Sequence, residues 1–181
     1  MEIINYKFAD FLSKDIELIN DYMIVLNCIK PLPNFQTGIF NKKMHGVNNS
    51  LTELTWGQVN KIKRLAGKRD LESIFEMIAT AYNMKSKDVP KMNIIQFYGC
   101  VNFISKEIKQ IHKVENHRYK IIPDKYDDLK EQAGIEEFEK FGEFPIVDQI
   151  SGEKPWDYDK VENQPYITIH TKLWYDAVKM N

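Results

Sequence analysis

Cysteine is nearly absent: Cys28 and Cys100 are the only two among 181 residues, too few and too far apart for a disulfide scaffold or a cysteine-based zinc site. A chain with so little thiol chemistry fits a reducing compartment. Long apolar runs are missing as well. Stretches such as Met23 to Leu26 stop after a few residues, far short of the ~20 that cross a bilayer, and the amino terminus lacks a basic segment followed by an apolar one. Neither a membrane span nor a secretory signal is expected. Arginine is scarce, 3 residues against 22 lysines, so the chain is poorly equipped for bidentate recognition of bases or phosphates. Leucine (10) and alanine (6) are also outnumbered by isoleucine (22) and asparagine (14). AT-rich codons produce that bias, which therefore speaks of the source genome and not of function.

What is present is the composition of a globular protein. Hydrophobic residues make up 43% of the chain and charged residues 28%, which excludes disorder throughout, and the length suits one domain of ordinary size. The net charge of -1 hides a separation along the chain. Residues 1–55 carry a net charge of -1, residues 56–120 carry +7 and residues 121–181 carry -7. The plain reading is solvated helix faces that compensate one another. Two other readings are head-to-tail contact between subunits, basic face to acidic face, and nucleic-acid binding by 56–120.

Helical spacing dominates the chain. Ile16, Ile19, Met23 and Leu26 predict a helix over 14–28, with Ser13 as N-cap, and Pro31 and Pro33 end it. Residues 31–50 hold two Pro, two Gly and four Asn with no steady period, so they are predicted to form an extended loop or arm. Thr55 and Gln58 have the spacing of a capping box, followed by Val59, Ile62 and Leu65 before Gly67. Asp70 caps the next helix, with Leu71, Ile74, Phe75, Ile78, Ala81 and Tyr82 as its stripe. The clearest element follows Pro90: Ile94, Phe97, Val101, Ile104, Ile108 and Ile111 alternate steps of three and four, and Glu115 breaks the stripe. This is the predicted central helix. Residues 126–133 read as helical, and Ile135, Phe138 and Phe141 form another short apolar face. Pro165 suits the first turn of a last helix carrying Tyr166, Ile169, Leu173, Ala177 and Met180, although the alternation over 166–170 also fits a strand. The predicted fold class is mainly α, a helical bundle around one long central helix. Residues 1–154 form the helical domain with its loop 31–50, and 155–181 form an aromatic carboxy-terminal segment that docks.

Chemistry is nearly silent. Gly67-Lys68-Arg69 lacks the upstream Gly and the following Ser or Thr of a phosphate loop. His112 and Glu115, three apart, suit a shared metal only with a second such pair, which no other predicted helix supplies. Asp157, Asp159 and Glu162 lack the Gly and the terminal Glu of a calcium loop. Cys100 sits between Gly99 and Val101 in mid-helix, where a buried inert thiol is the commoner state. No catalytic residue, cofactor or metal is expected. The carboxy-terminal aromatics Trp156, Tyr158, Tyr166, Trp174 and Tyr175 read either as core or as interface anchors, because Trp and Tyr dominate binding hot spots.

Three stretches carry a resemblance: residues 54–59 (Leu-Thr-Trp-Gly-Gln-Val), the helix 97–115, and residues 133–142 (Ala-Gly-Ile-Glu-Glu-Phe-Glu-Lys-Phe-Gly). In these the chain resembles small virion and assembly proteins of tailed bacteriophages of the crAss-like group. The resemblance implies a non-enzymatic structural protein that forms an oligomeric ring or collar in the portal-to-tail connector or the tail. Neighbouring subunits and other virion proteins would be its partners; it would be assembled in the host cytoplasm and reside in the virion. The same resemblance admits a tail-assembly chaperone, and the basic segment 56–120 keeps a cytoplasmic nucleic-acid-binding regulator as the alternative. Nucleic acid is not the expected partner.

Overall fold

The computed structural model describes residues 6–14, 16–37, 43–68, 70–118, 141 and 144–180. The chain is mainly helical, as predicted. In chain order the elements are α1 (Phe8–Leu12), α2 (Ile16–Asn27), β1 (Asn34–Thr37), β2 (Lys43–Gly46), α3 (Trp56–Ala66), α4 (Leu71–Ala81), α5 (Ile94–Arg118), α6 (Phe144–Ser151), α7 (Tyr158–Glu162) and α8 (Tyr166–Met180), with short 3-10 turns between some of them. The predicted helix over 126–133 and the face formed by Ile135 and Phe138 lie outside the described residues.

The caps read from the sequence form as expected. At the start of α3 the Gln58 N–H donates to Thr55 Oγ1 (3.3 Å) and the Thr55 N–H donates to Gln58 Oε1 (3.1 Å), so two orphan donors are satisfied reciprocally. Asp70 accepts from both the backbone N–H and the hydroxyl of Ser73 (2.8 and 2.9 Å). Those two bonds hold its carboxyl below the usual range. The short connection then folds α4 back on α3.

Helix α5 is 25 residues long and carries the core. Its buried set is Ile94, Phe97, Gly99, Cys100, Phe103, Ile104 and Ile111, a wider arc than the predicted stripe, in which Val101 and Ile108 are only half-buried. The arc is wide because α5 is covered from two sides, by α4 and by α1 and α2. Gly99 permits one further approach. A Cβ there would stand 2.9 Å from Leu32 Cβ, and the Leu32 N–H donates to the Gly99 carbonyl at 2.9 Å.

Residues 31–50 differ from the predicted arm. They contain a β1–β2 antiparallel ribbon with Phe35 opposite His45, and Phe35, His45 and Val47 are buried. Tyr82, fully buried after the end of α4, holds the ribbon: its ring lies 5.5 Å from Phe35, its carbonyl is 3.2 Å from His45 Nδ1, and its hydroxyl donates to the Leu32 carbonyl. Strands of four residues with one or two inward side chains are too short to print a period of two. The turn that follows is fastened by Glu53, whose carboxylate accepts the N–H groups of Asn48, Asn49 and Ser50.

Two further corrections concern the chain ends. Ser13 closes α1, its hydroxyl donating to the Asp10 carbonyl at 2.7 Å, and does not cap α2. The division at residue 154 does not hold either. The Trp56 N–H donates to the Gln164 carbonyl (2.8 Å) and the Tyr166 N–H donates to the Leu54 carbonyl (3.0 Å), and Val161, Tyr166 and Ile169 belong to the same core cluster as Trp56, Val59 and Ile104. Pro165 precedes α8, and the 166–170 stretch is helical.

Candidate functional site

The first two turns of α3 bring Trp56, Asn60, Lys63 and Arg64 toward one side, since residues four apart on a helix share a face. Phe144 and Val147 of α6, Tyr158 and Glu162 of α7, and Phe141 form the opposing wall. Between them lies a cleft of about 700 Å³. Helix α7 comes close to α3 at Gly57, where a Cβ would meet Glu162 Cβ at 3.1 Å.

Trp56 is 2% exposed and stacks on Tyr166 with ring centroids 5.5 Å apart. Behind that pair is a polar node. Glu115 Oε1 accepts from the Tyr166 hydroxyl (2.8 Å) and from Lys63 Nζ (3.0 Å), and the Lys63 and Glu115 side chains are only 16% and 13% exposed. Glu115, which interrupts the apolar stripe in the sequence, thus joins α3, α5 and α8. His112 is exposed; among the described residues no group of three His, Cys, Asp or Glu is placed to hold an ion. Asp157 is paired with Lys160 at 2.5 Å. Cys100 is buried, and burial pushes its thiol up to about 12, so it is not a thiolate at neutral pH.

His170 lies beside the node and is 3% exposed. Burial holds its imidazole below the usual range, and the positive charges of Arg118 and Lys63 act in the same direction while Glu115 opposes them. Arg118 Nη1 faces His170 Nε2 at 3.4 Å, which suits a neutral ring accepting on Nε2. A histidine with a depressed folded-state pKa binds its proton more tightly in the unfolded chain. Stability is therefore lost as pH falls below the unfolded value of about 6.5 and continues to fall down to the folded pKa. The melting temperature should drop between pH 7.5 and 5 by less in a His170→Gln variant than in the parent chain; equal acid sensitivity would contradict the assignment.

The five aromatics predicted as interface anchors divide. Tyr166 is 1% exposed and belongs to the chain's own core, because its ring pairs with Trp56 and its hydroxyl with Glu115; it is not available to a partner. Tyr158 is half-buried in the cleft wall, its hydroxyl donating to Asp148 Oδ1 at 2.5 Å, and that bond raises its pKa. Trp156, Trp174 and Tyr175 stand exposed. On α8, Ile167, Thr171, Trp174 and Val178 follow one another at steps of four, three and four, the spacing of a coiled-coil seam, and all four face outward. Tyr175 flanks that face. Trp174 is tied inward by the Arg118 guanidinium, 4.5 Å from its ring centroid, a cation–π contact. The inner residues of this helix, Tyr166, Ile169 and Leu173, are legible from their spacing, but Ile167 and Val178 were not in the predicted set.

Ion pairs between described residues run within the basic or the acidic segment, as in Lys61–Glu76 and Lys160–Asp157. Contact between 56–120 and 144–180 includes aromatic rings, backbone bonds, the Tyr166–Glu115 hydrogen bond and the contacts of Arg118 with His170 and with the Trp174 ring. No family model, curated protein or solved structure matches the chain.

Proposed function

We propose that the chain is a non-enzymatic structural subunit of a tailed bacteriophage particle, assembling with copies of itself and with other virion proteins as a ring or collar of the connector or tail. The observation that supports this reading best is the outward face of α8. Ile167, Trp174, Tyr175 and Val178 are 52%, 41%, 62% and 61% exposed, four large apolar side chains on the outward side of a helix whose other face is anchored in the core. Scattered exposed apolar residues need no explanation, whereas several on one side of one helix suit a contact surface. The charge separation between 56–120 and 121–181 adds to it, since basic and acidic surfaces on one subunit suit head-to-tail contacts that close into rings.

Quantitative mass spectrometry of purified phage particles from the source tests the reading. The expected result is the chain as a stoichiometric component of the particle. Its presence in infected cells but absence from particles would overturn the structural role and favour an assembly chaperone.

A further inference from the structure

We propose that the lysine-lined cleft between the β1–β2 ribbon and the turn joining α4 to α5 binds the phosphodiester backbone of a nucleic acid, without reading its sequence. The cleft has a volume of about 850 Å³ and is lined by Lys43 of β2 and by Lys85, Lys87 and Lys91 of the turn. All four lysines are exposed, so a ligand reaches them from solvent. Lys43 is far from the other three in sequence, and it is the fold that gathers the charges. Asp88 is the one acid in that lining. Its carboxylate accepts from Lys91 Nζ at 2.7 Å, and that bond, followed by the charges of Lys91, Lys87 and Lys85, holds it below the usual range. Lys43, Lys85 and Lys87 form no ion pair among the described residues. The cleft therefore keeps a surplus of positive charge that a polyanion neutralises.

Both walls are fixed in the backbone. Tyr82 holds the ribbon, and Asn83 follows it at φ 48°, a left-handed conformation that asparagine tolerates. The Met84 N–H then donates to the Ala79 carbonyl (3.0 Å), which ends α4 sharply. Within the turn the Asp88 N–H donates to the Lys85 carbonyl and the Met92 N–H to the Val89 carbonyl (2.9 and 3.0 Å), and Val89 is fully buried. The lysines thus project from an anchored frame. Lysine is a point charge suited to phosphate oxygens, whereas bidentate recognition of base edges and of carboxylates falls to arginine, and among the described residues no arginine lines the cleft. The acidic part of a second copy suits it less well, because Asp148, Asp157 and Asp176 are already bonded to Tyr158, Lys160 and Lys172.

Fluorescence anisotropy of a labelled DNA duplex of about 12 base pairs, ~40 Å long, titrated with the intact chain tests the proposal. Saturable binding is expected, weakening by ~40-fold between ~50 and ~200 mM salt, the slope of about -2.7 that three neutralised phosphates give. Duplexes of unrelated sequence should bind within about twofold of one another, since phosphate contacts carry no sequence information. The variant Lys43→Gln/Lys85→Gln/Lys87→Gln should bind more than ~10-fold more weakly and lose most of the salt dependence, with circular dichroism and melting unchanged. A control, Lys106→Gln/Lys109→Gln/Lys113→Gln, removes three exposed lysines of α5 that do not line the cleft and should keep the slope of the parent. A single strand of the same length identifies the preferred form: tighter than the duplex, it is the ligand; weaker, the duplex is. No saturable binding at low salt, an equal loss in the two lysine variants, or a strong preference for one sequence would overturn the proposal. So would inorganic tripolyphosphate displacing the duplex at equal phosphate concentration, which would make this a site for free polyphosphate.

Discussion

Replacing Ile104 with alanine is expected to lower the free energy of unfolding by ~2 to 5 kcal/mol. The side chain is fully buried in the cluster that also holds Val59, Ile62, Phe97 and Phe103. It lies on a helix that α1, α2, α4 and the turn at Leu51–Glu53 all touch. Walls drawn from several elements cannot all move inward together, so the removed methyl groups leave a void and the cost falls in the upper part of the range. Urea denaturation followed by circular dichroism measures it. An unchanged midpoint would mean that Ile104 does not face the core.

The second large effect belongs to the carboxy-terminal segment. Deleting residues 155–181 should abolish cooperative thermal unfolding. The deletion removes Val161, Tyr166 and Ile169 from the core, exposes Trp56, and strips Glu115 of the Tyr166 hydroxyl. Three buried side chains contribute together ~5 kcal/mol or more, comparable to the whole stability of an ordinary domain, ~5 to 15 kcal/mol. A truncated chain that kept its helical content and melted sharply would show instead that the segment is dispensable to the fold and serves only as a docking arm.

The same segment shows how far the sequence could be read. Helix boundaries set by caps and periodicity were legible: Thr55 with Gln58, Asp70, and the stripe from Ile94 to Ile111 all fall where local chemistry puts them. The ribbon was not, because Phe35 and His45 are single inward residues whose burial depends on Tyr82, 37 positions beyond His45. Nor was the role of Glu115 legible. Within its own helix it reads as a break in an apolar stripe, and only the approach of Lys63 and Tyr166 makes it a junction. The carboxy-terminal aromatics were recognised as a group, yet which of them turn inward depends on the pairing of 165–166 with 54–56. Lys43 carries no signal at all in a chain with 22 lysines; its place in one cleft with Lys85 and Lys87 is visible only when the ribbon meets the turn after α4.

Sedimentation velocity on the intact chain and on an Ile167→Asp/Val178→Lys double variant tests the proposed assembly role of α8 most directly. Both positions are exposed, Asp near the start of the helix and Lys near its end suit the helix dipole, and Trp174 keeps its contact with Arg118. The expected result is a closed oligomer for the parent chain and a monomer for the variant, with the same helical content in each and a lower melting temperature for the monomer. A parent chain that remains monomeric at high concentration, or an oligomer that the two charges leave intact, would contradict the assignment of this face as the assembly surface.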